Sequence, residues 1–413
     1  LLSRLTAASL FLFQLSFHLI LLSFANESIP LTLEEAHSSF VNVVYFENRL
    51  QASEYATNPA SYLWFSLAHR LTPFAGPFYG RTLKALIFAS IAPLIFILLR
   101  REGQPLAVAA AAGVFVALMP GVFAYATLGV DMGMELPLGL LAMLAAHYGY
   151  DAAAGFAMAL AALSYGSALA FLVPLALLLR TPARLLRAFL AGLIPFAIAI
   201  LWISNVQILL IGGGNRGVSP WLCFKILVHD ALQGYGSYYY TLQGHPALTR
   251  LSLLVTSGFV FAAIRWREHG HWLLLAACSF LIATFSGYPP GIRRAIPFTA
   301  AAGVCFMLLV GELYRRSRLQ YSLAIAAITA VCLYDAALVP RHMHRYAPRD
   351  LNLDIPSRSS LSVQFLLGEP SVTFDHIQKV EDLDDPPFNA NAPRFSETRR
   401  ILEKRFSATF SSR

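Results

Sequence analysis

From residue 5 to residue 339 the chain returns repeatedly to apolar runs of membrane-crossing length, near 5–25, 82–99, 105–125, 133–149, 185–204, 249–264, 271–286, 296–314 and 319–339. A run of about 20 apolar residues matches the hydrocarbon thickness of a bilayer. Inside that layer only a helix or a closed barrel satisfies every backbone polar group. Runs this long suit helices, so the expected fold class is an all-α polytopic membrane protein. One further run, 152–179, is longer and carries Ser164-Tyr165-Gly166 in its middle. Split into two short spans turning at that tripeptide, it brings the expectation to about 11 transmembrane helices.

Composition closes off the other classes. The 413 residues are 57% hydrophobic and 13% charged, whereas a soluble chain is about a quarter charged. A disordered chain, a disulfide-built secreted domain and a nucleic-acid binder are all excluded on that count. Of the four cysteines, Cys278, Cys305 and Cys332 lie inside apolar runs, and Cys223 stands alone in a loop. That pattern is neither a disulfide framework nor a cysteine-based zinc site. The first run ends Ser23-Phe24-Ala25, in the manner of a signal-peptidase site, but its length suits a retained span.

Basic residues in short loops set the parity. With the N-terminus cytoplasmic, Arg100-Arg101, Arg180/Arg184/Arg187, Arg265/Arg267 and Arg315-Arg316-Arg318 all fall inside, and Arg293-Arg294 falls outside. These loop arginines account for much of the net charge of +8. A transmembrane unit over 1–339 then carries two long outside loops, 26–81 and 205–248, and an outside tail or small domain, 340–413. The tail mixes acids and bases with Pro–Asp clusters and offers a surface for a protein partner. The expected setting is a multi-pass protein of the bacterial plasma membrane, although the reticulum membrane of a eukaryote would share the topology.

Loop 26–81 is more than a connector. Phe40, Val41, Val43, Val44, Phe46 and Leu50 fit an amphipathic helix lying along the interface, and Tyr62–Leu67 forms a second after Asn58-Pro59. Glu34-Glu35 opens the first of these. The pair either complements the helix dipole or supplies a general base whose carboxylate is partly desolvated at the membrane surface. Asp131, at the outer end of a span with Glu135 one turn later, is an acid at membrane depth, which is costly unless it caps a helix or functions. Arg81, Arg293 and Arg294 are placed outside, where single arginines snorkel but several together clamp phosphate. Gly212–Gly217 lacks the strand–loop–helix setting of a nucleotide loop and lies outside, so no nucleotide is expected. His229, His245, His269 and His271 form no metal-spaced pair on a common face, and His342-Met343-His344 is a weak metal motif.

In this order the residues resemble the polytopic glycosyltransferases of the GT-C superfamily, in the branch of the lipid A aminoarabinose transferases and protein O-mannosyltransferases. The resemblance runs through Leu33-Glu34-Glu35-Ala36, then Asn58-Pro59-Ala60-Ser61-Tyr62-Leu63-Trp64, Gly80-Arg81 and Asp131. It continues in Leu160-Ala161-Ala162-Leu163-Ser164-Tyr165-Gly166 and Arg294-Ala295-Ile296-Pro297. Glu34 stands where the family carries Asp, Ala60 where it carries a second Pro, and Tyr165 where it carries Lys. The resemblance implies a polyprenyl-phosphate-linked sugar as donor and a lipid, glycan or protein hydroxyl as acceptor, joined with inversion. Glu34 would be the base and Glu35 its orienter. Asp131 would bind a divalent cation or position the acceptor, and Arg81, Arg293 and Arg294 would hold the donor phosphate. Asn58, Tyr62 and Tyr288 would line the pocket. The substituted motif positions and the unmatched tail also fit a GT-C-like subunit of a larger complex that has lost catalysis. A secondary transporter fits less well, since no inverted hydropathy repeat is present.

Overall fold

A computed structural model describes residues 2–28, 59–71, 79–126, 129, 133–202, 221, 257–285 and 296–351. Among these residues there are helices and no strands. In chain order the α-helices are α1 (Leu2–Ser28), α2 (Pro59–Leu71), α3 (Tyr79–Phe88), α4 (Ile91–Arg101), α5 (Leu106–Leu118), α6 (Pro120–Ala126), α7 (Glu135–His147), α8 (Asp151–Ser164), α9 (Leu172–Leu179), α10 (Pro182–Trp202), α11 (Trp266–Phe285), α12 (Ile296–Arg316) and α13 (Arg318–Leu351). A 3₁₀ helix, Gly166–Phe171, leads into α9, and residues 257–264 are also helical.

Four of the described helical stretches are long and apolar enough to cross a membrane unaided: Leu2–Ser23, Tyr79–Arg101, Pro182–Leu201 and Ile296–Arg316. The second is α3 and α4 taken together. Pro93 has no N–H to give the carbonyl of Ala89, so the ladder breaks at Ala89–Ser90. Two side chains repair the break. The Ser90 hydroxyl donates to the Ile87 carbonyl at 2.6 Å, and the buried Gln14 of α1 accepts from the Ala92 N–H at 3.0 Å. α1 is thus built into the bundle, and it runs through Ser23–Ala25 without interruption.

Pairs of contacts fix the direction of each pass. Gln14 meets Ala92 while His18 meets the Ala85 carbonyl, so α1 is antiparallel to α3–α4. The Tyr321 hydroxyl donates to the Ala107 carbonyl, bringing the start of α13 to the start of α5. Arg184 donates to Asp151 at 2.7 Å and to the Ala146 carbonyl at 2.6 Å, and Arg187 pairs with Asp151 at 2.9 Å. α8 and α10 therefore start together and run parallel. Arg184 also reaches the Leu178 carbonyl, so the segment between them leaves this end along α8 and returns to it along α9. The expected split of 152–179 into two short spans holds. The turn is at Tyr165, whose extended backbone (φ −163°) ends α8. One end of the bundle thereby collects the basic loop residues, and we call it the basic end.

α8 and α10 pack without a gap because Gly155 has no side chain. A Cβ at that position would lie 1.7 Å from the Ala188 carbonyl oxygen, which is backbone and cannot swing away. Gly155→Val is expected to cost at least the ~1–3 kcal/mol typical of overpacking, read as a lower unfolding midpoint in detergent. Gly103→Ala, where the added carbon would meet nothing within 4 Å, tests backbone strain alone, because its φ is +83°.

Candidate functional site

Helices of unequal length meet at the end opposite the basic end. α7 and α8 have 13 and 14 residues, about 20 Å of helix at 1.5 Å per residue, against about 31 Å for α10 with its 21. The interfacial helix expected after Asn58 is α2, and it docks where α8 stops. The Ser61 hydroxyl donates to the Ser164 carbonyl at 3.0 Å, and Trp64 Nε1 donates to the Ser164 hydroxyl at 3.3 Å. Two of the segments singled out in the sequence, Asn58–Trp64 and Leu160–Gly166, thus touch through Ser61, Trp64 and Ser164.

Arg81, Lys84 and Glu135 sit fully buried at this end. Arg81 and Lys84 are one turn apart on α3, so they share a face. Arg81 is not snorkelling to solvent, since nothing of it is exposed. Glu135 begins α7, where the helix dipole favours an anion. Its Oε2 accepts from the Gly133 N–H at 2.7 Å, and its Oε1 accepts from the Ser167 hydroxyl at 2.8 Å. The charge of Lys84 acts directly on it. The Lys84 ammonium also lies over the Phe88 ring, 4.5 Å from its centre. Gly133 holds this corner together. It takes φ +92°, and a Cβ there would come within 2.7 Å of Phe88 and 3.3 Å of Lys84 Nζ. A Cβ at Gly129 would come within 3.1 Å of the Arg81 backbone nitrogen and 3.2 Å of the Gly80 carbonyl carbon.

The arrangement is a buried polar wall, with two cations on α3 and one anion fixed by hydrogen bonds on α7. Such a wall suits an anionic ligand group better than an apolar one, because guanidinium and ammonium donors match phosphate oxygens.

Of the residues that stand out in the sequence, Arg81 is present at this place. Glu34, Glu35, Asn58, Asp131, Tyr288, Arg293 and Arg294 lie outside the described residues, and of Tyr62 only its position on α2 is described. Lys84 does not stand out in the sequence, because a single cation hardly lowers the average hydropathy of 82–99. A lysine one turn inside a span is nonetheless the signal that could find it. Glu135 is visible beside Asp131 but without a role. At the basic end, His271, which pairs with no other histidine in the sequence, stands against Glu102 and near His147.

Comparison with known proteins gives one kind of match. No family model matches the sequence, and no curated protein does. Among solved structures, the crystal structure of ArnT from Cupriavidus metallidurans bound to undecaprenyl phosphate aligns with a TM-score of 0.53 at 13% identity, covering 96% of this chain and 76% of that one. The apo structure of the same protein aligns with a TM-score of 0.51 at 13% identity, covering 98% and 76%. The chain has an ArnT-like fold and is a multi-pass integral membrane protein.

Proposed function

We propose that the chain is a membrane glycosyltransferase that moves a sugar from a polyprenyl-phosphate carrier to an acceptor hydroxyl on a lipid, glycan or protein. The observation that carries this reading is the ArnT-like fold along nearly the whole chain, with Arg81 buried at the end opposite the basic end. The undecaprenyl phosphate of the related structure is the model for the donor's carrier. By the bias of basic loops the basic end faces the cytoplasm. That puts Arg81, the donor phosphate and both long loops at the outer face of the membrane, in a bacterium the inner membrane.

In this reaction Glu34 takes the proton of the acceptor hydroxyl as its oxygen attacks the anomeric carbon. The bond from that carbon to the phosphate oxygen breaks on the opposite face, and the electron pair leaves with the polyprenyl phosphate. One displacement inverts the anomeric centre. Glu35 orients the base, and Asp131 positions the acceptor or holds a divalent cation. Arg81, Arg293 and Arg294 offset the charge that grows on the leaving phosphate, which is where preorganised donors lower a barrier most. The donor is already activated, so no nucleotide enters.

Purified protein supplied with a labelled polyprenyl-phosphate sugar should release polyprenyl phosphate in step with labelled acceptor. Binding of the carrier without any turnover, across the acceptors of the host envelope, would instead favour an inactive subunit. Arg294→Ala should weaken donor binding by about tenfold or more, the worth of one charge-assisted contact, while acceptor binding stays unchanged. Equal donor affinity in the variant and the parent chain would remove Arg294 from the phosphate clamp.

A further inference from the structure

At the basic end, away from Arg81, three passes of the bundle place metal-ligating side chains together. Glu102 follows α4, His147 closes α7, and His271 lies in the second turn of α11. His271 Nε2 is 2.9 Å from Glu102 Oε1, and His147 Nε2 is 3.9 Å from the same oxygen. One ligand atom from each residue lies within 4.8 Å of the other two. The Glu102 side chain is 7% exposed, and Trp272 Nε1 donates to both its oxygens at 3.2 Å. His147 Nε2 is buried and has no hydrogen-bond partner among the described residues.

We propose that Glu102, His147 and His271 form a site for a divalent transition metal, Zn²⁺ foremost, which fastens α4, α7 and α11 together at the basic end of the bundle.

The donor set selects the class of ion. Two imidazoles and a carboxylate suit Zn²⁺ and its first-row neighbours, whereas Mg²⁺ and Ca²⁺ prefer all-oxygen ligands. Bonds of about 2.0–2.2 Å in a tetrahedron put ligand atoms about 3.3 Å apart, so the present spacings close on an ion with side-chain shifts of about an ångström. Trp272 supplies the outer hydrogen bond that holds a ligating carboxylate in place. A cleft of about 490 Å³ bordered by His271, Arg180, Trp266 and Arg267 gives an ion a way in and leaves room for a water ligand. Arg101 and Arg180 act on His147 and oppose a cation. The affinity must therefore come from direct coordination and not from the local field. A plain ion pair between His271 and Glu102 would explain the 2.9 Å contact, but not the third ligand facing it with its nitrogen unused.

The test uses the full chain in detergent micelles, stripped with a chelator and titrated with Co²⁺. A single equivalent should produce the intense visible bands of four- or five-coordinate cobalt, and Zn²⁺ should displace it and raise the unfolding midpoint. His147→Ala and His271→Ala should each abolish the bands. Trp272→Phe should keep them with affinity weakened about 10–100-fold, as loss of an outer-shell partner does. Only the weak bands of hydrated cobalt with the parent chain, or strong bands that survive in the His147→Ala/His271→Ala double variant, would overturn the proposal. The parent titration is decisive by itself and does not depend on how well a variant folds.

Discussion

Lys84→Met is expected to destabilise the protein by about 3–5 kcal/mol, and adding Glu135→Gln to the same chain is expected to return most of that loss. The reason is the setting of Glu135. It is fully buried at the end of the bundle, and its two hydrogen bonds, from the Gly133 N–H and the Ser167 hydroxyl, satisfy lone pairs without cancelling a charge. Lys84 supplies the opposing charge. Methionine keeps the apolar stem against Phe88 and removes only the ammonium, so packing loss contributes little. Glutamine at position 135 still accepts from Gly133, and the Ser167 hydroxyl can rotate to accept from its amide. The two substitutions should therefore be strongly non-additive. Unfolding in mixed micelles measures both. Arg81 lies one turn away on the same face. A single-variant loss under about 1 kcal/mol would mean that Arg81 alone balances Glu135 and that the pair is not the unit.

Much of this architecture is legible in the sequence because hydrophobic runs and basic loops report one global constraint, the bilayer. The expectation that the basic loops gather on one side agrees with Arg184 on Asp151 and Tyr321 on Ala107, contacts that close at one end of the bundle. The turn at Tyr165 is legible because Ser-Tyr-Gly interrupts an otherwise apolar stretch. Helix breaks are not. The one at Ala89–Ser90 follows from Pro93 but persists only because Gln14, far away in sequence, accepts the freed N–H of Ala92. Charged partners are the least visible. Lys84 and Glu135, like Glu102, His147 and His271, come from different passes, and no local spacing announces which passes will be neighbours. Arg81 is the exception because it stands at the mouth of a span, where a cation is conspicuous on its own.

Glu34→Gln should leave folding and insertion unchanged and lower sugar transfer by about 10²–10⁴-fold, the range that general-base catalysis supplies. The amide has the size of the carboxylate and accepts one hydrogen bond as it did, but it cannot take the proton from the attacking hydroxyl. If the acceptor loses its proton only as the new bond forms, the whole penalty falls on turnover, and donor affinity stays at the parent value. Glu34→Asp keeps a carboxylate of similar proton affinity on a stem one carbon shorter. Its activity should lie between the two, limited by reach and not by basicity. Glu35→Gln separates the neighbours, since in the helix expected from the sequence adjacent residues point about 100° apart and only one faces the acceptor. A parent-like rate in Glu34→Gln, with the loss appearing in Glu35→Gln, would move the base one residue along and keep the mechanism. Parent-like rates in both would leave the transfer without a carboxylate base at this loop, and the reaction scheme built on it would fall.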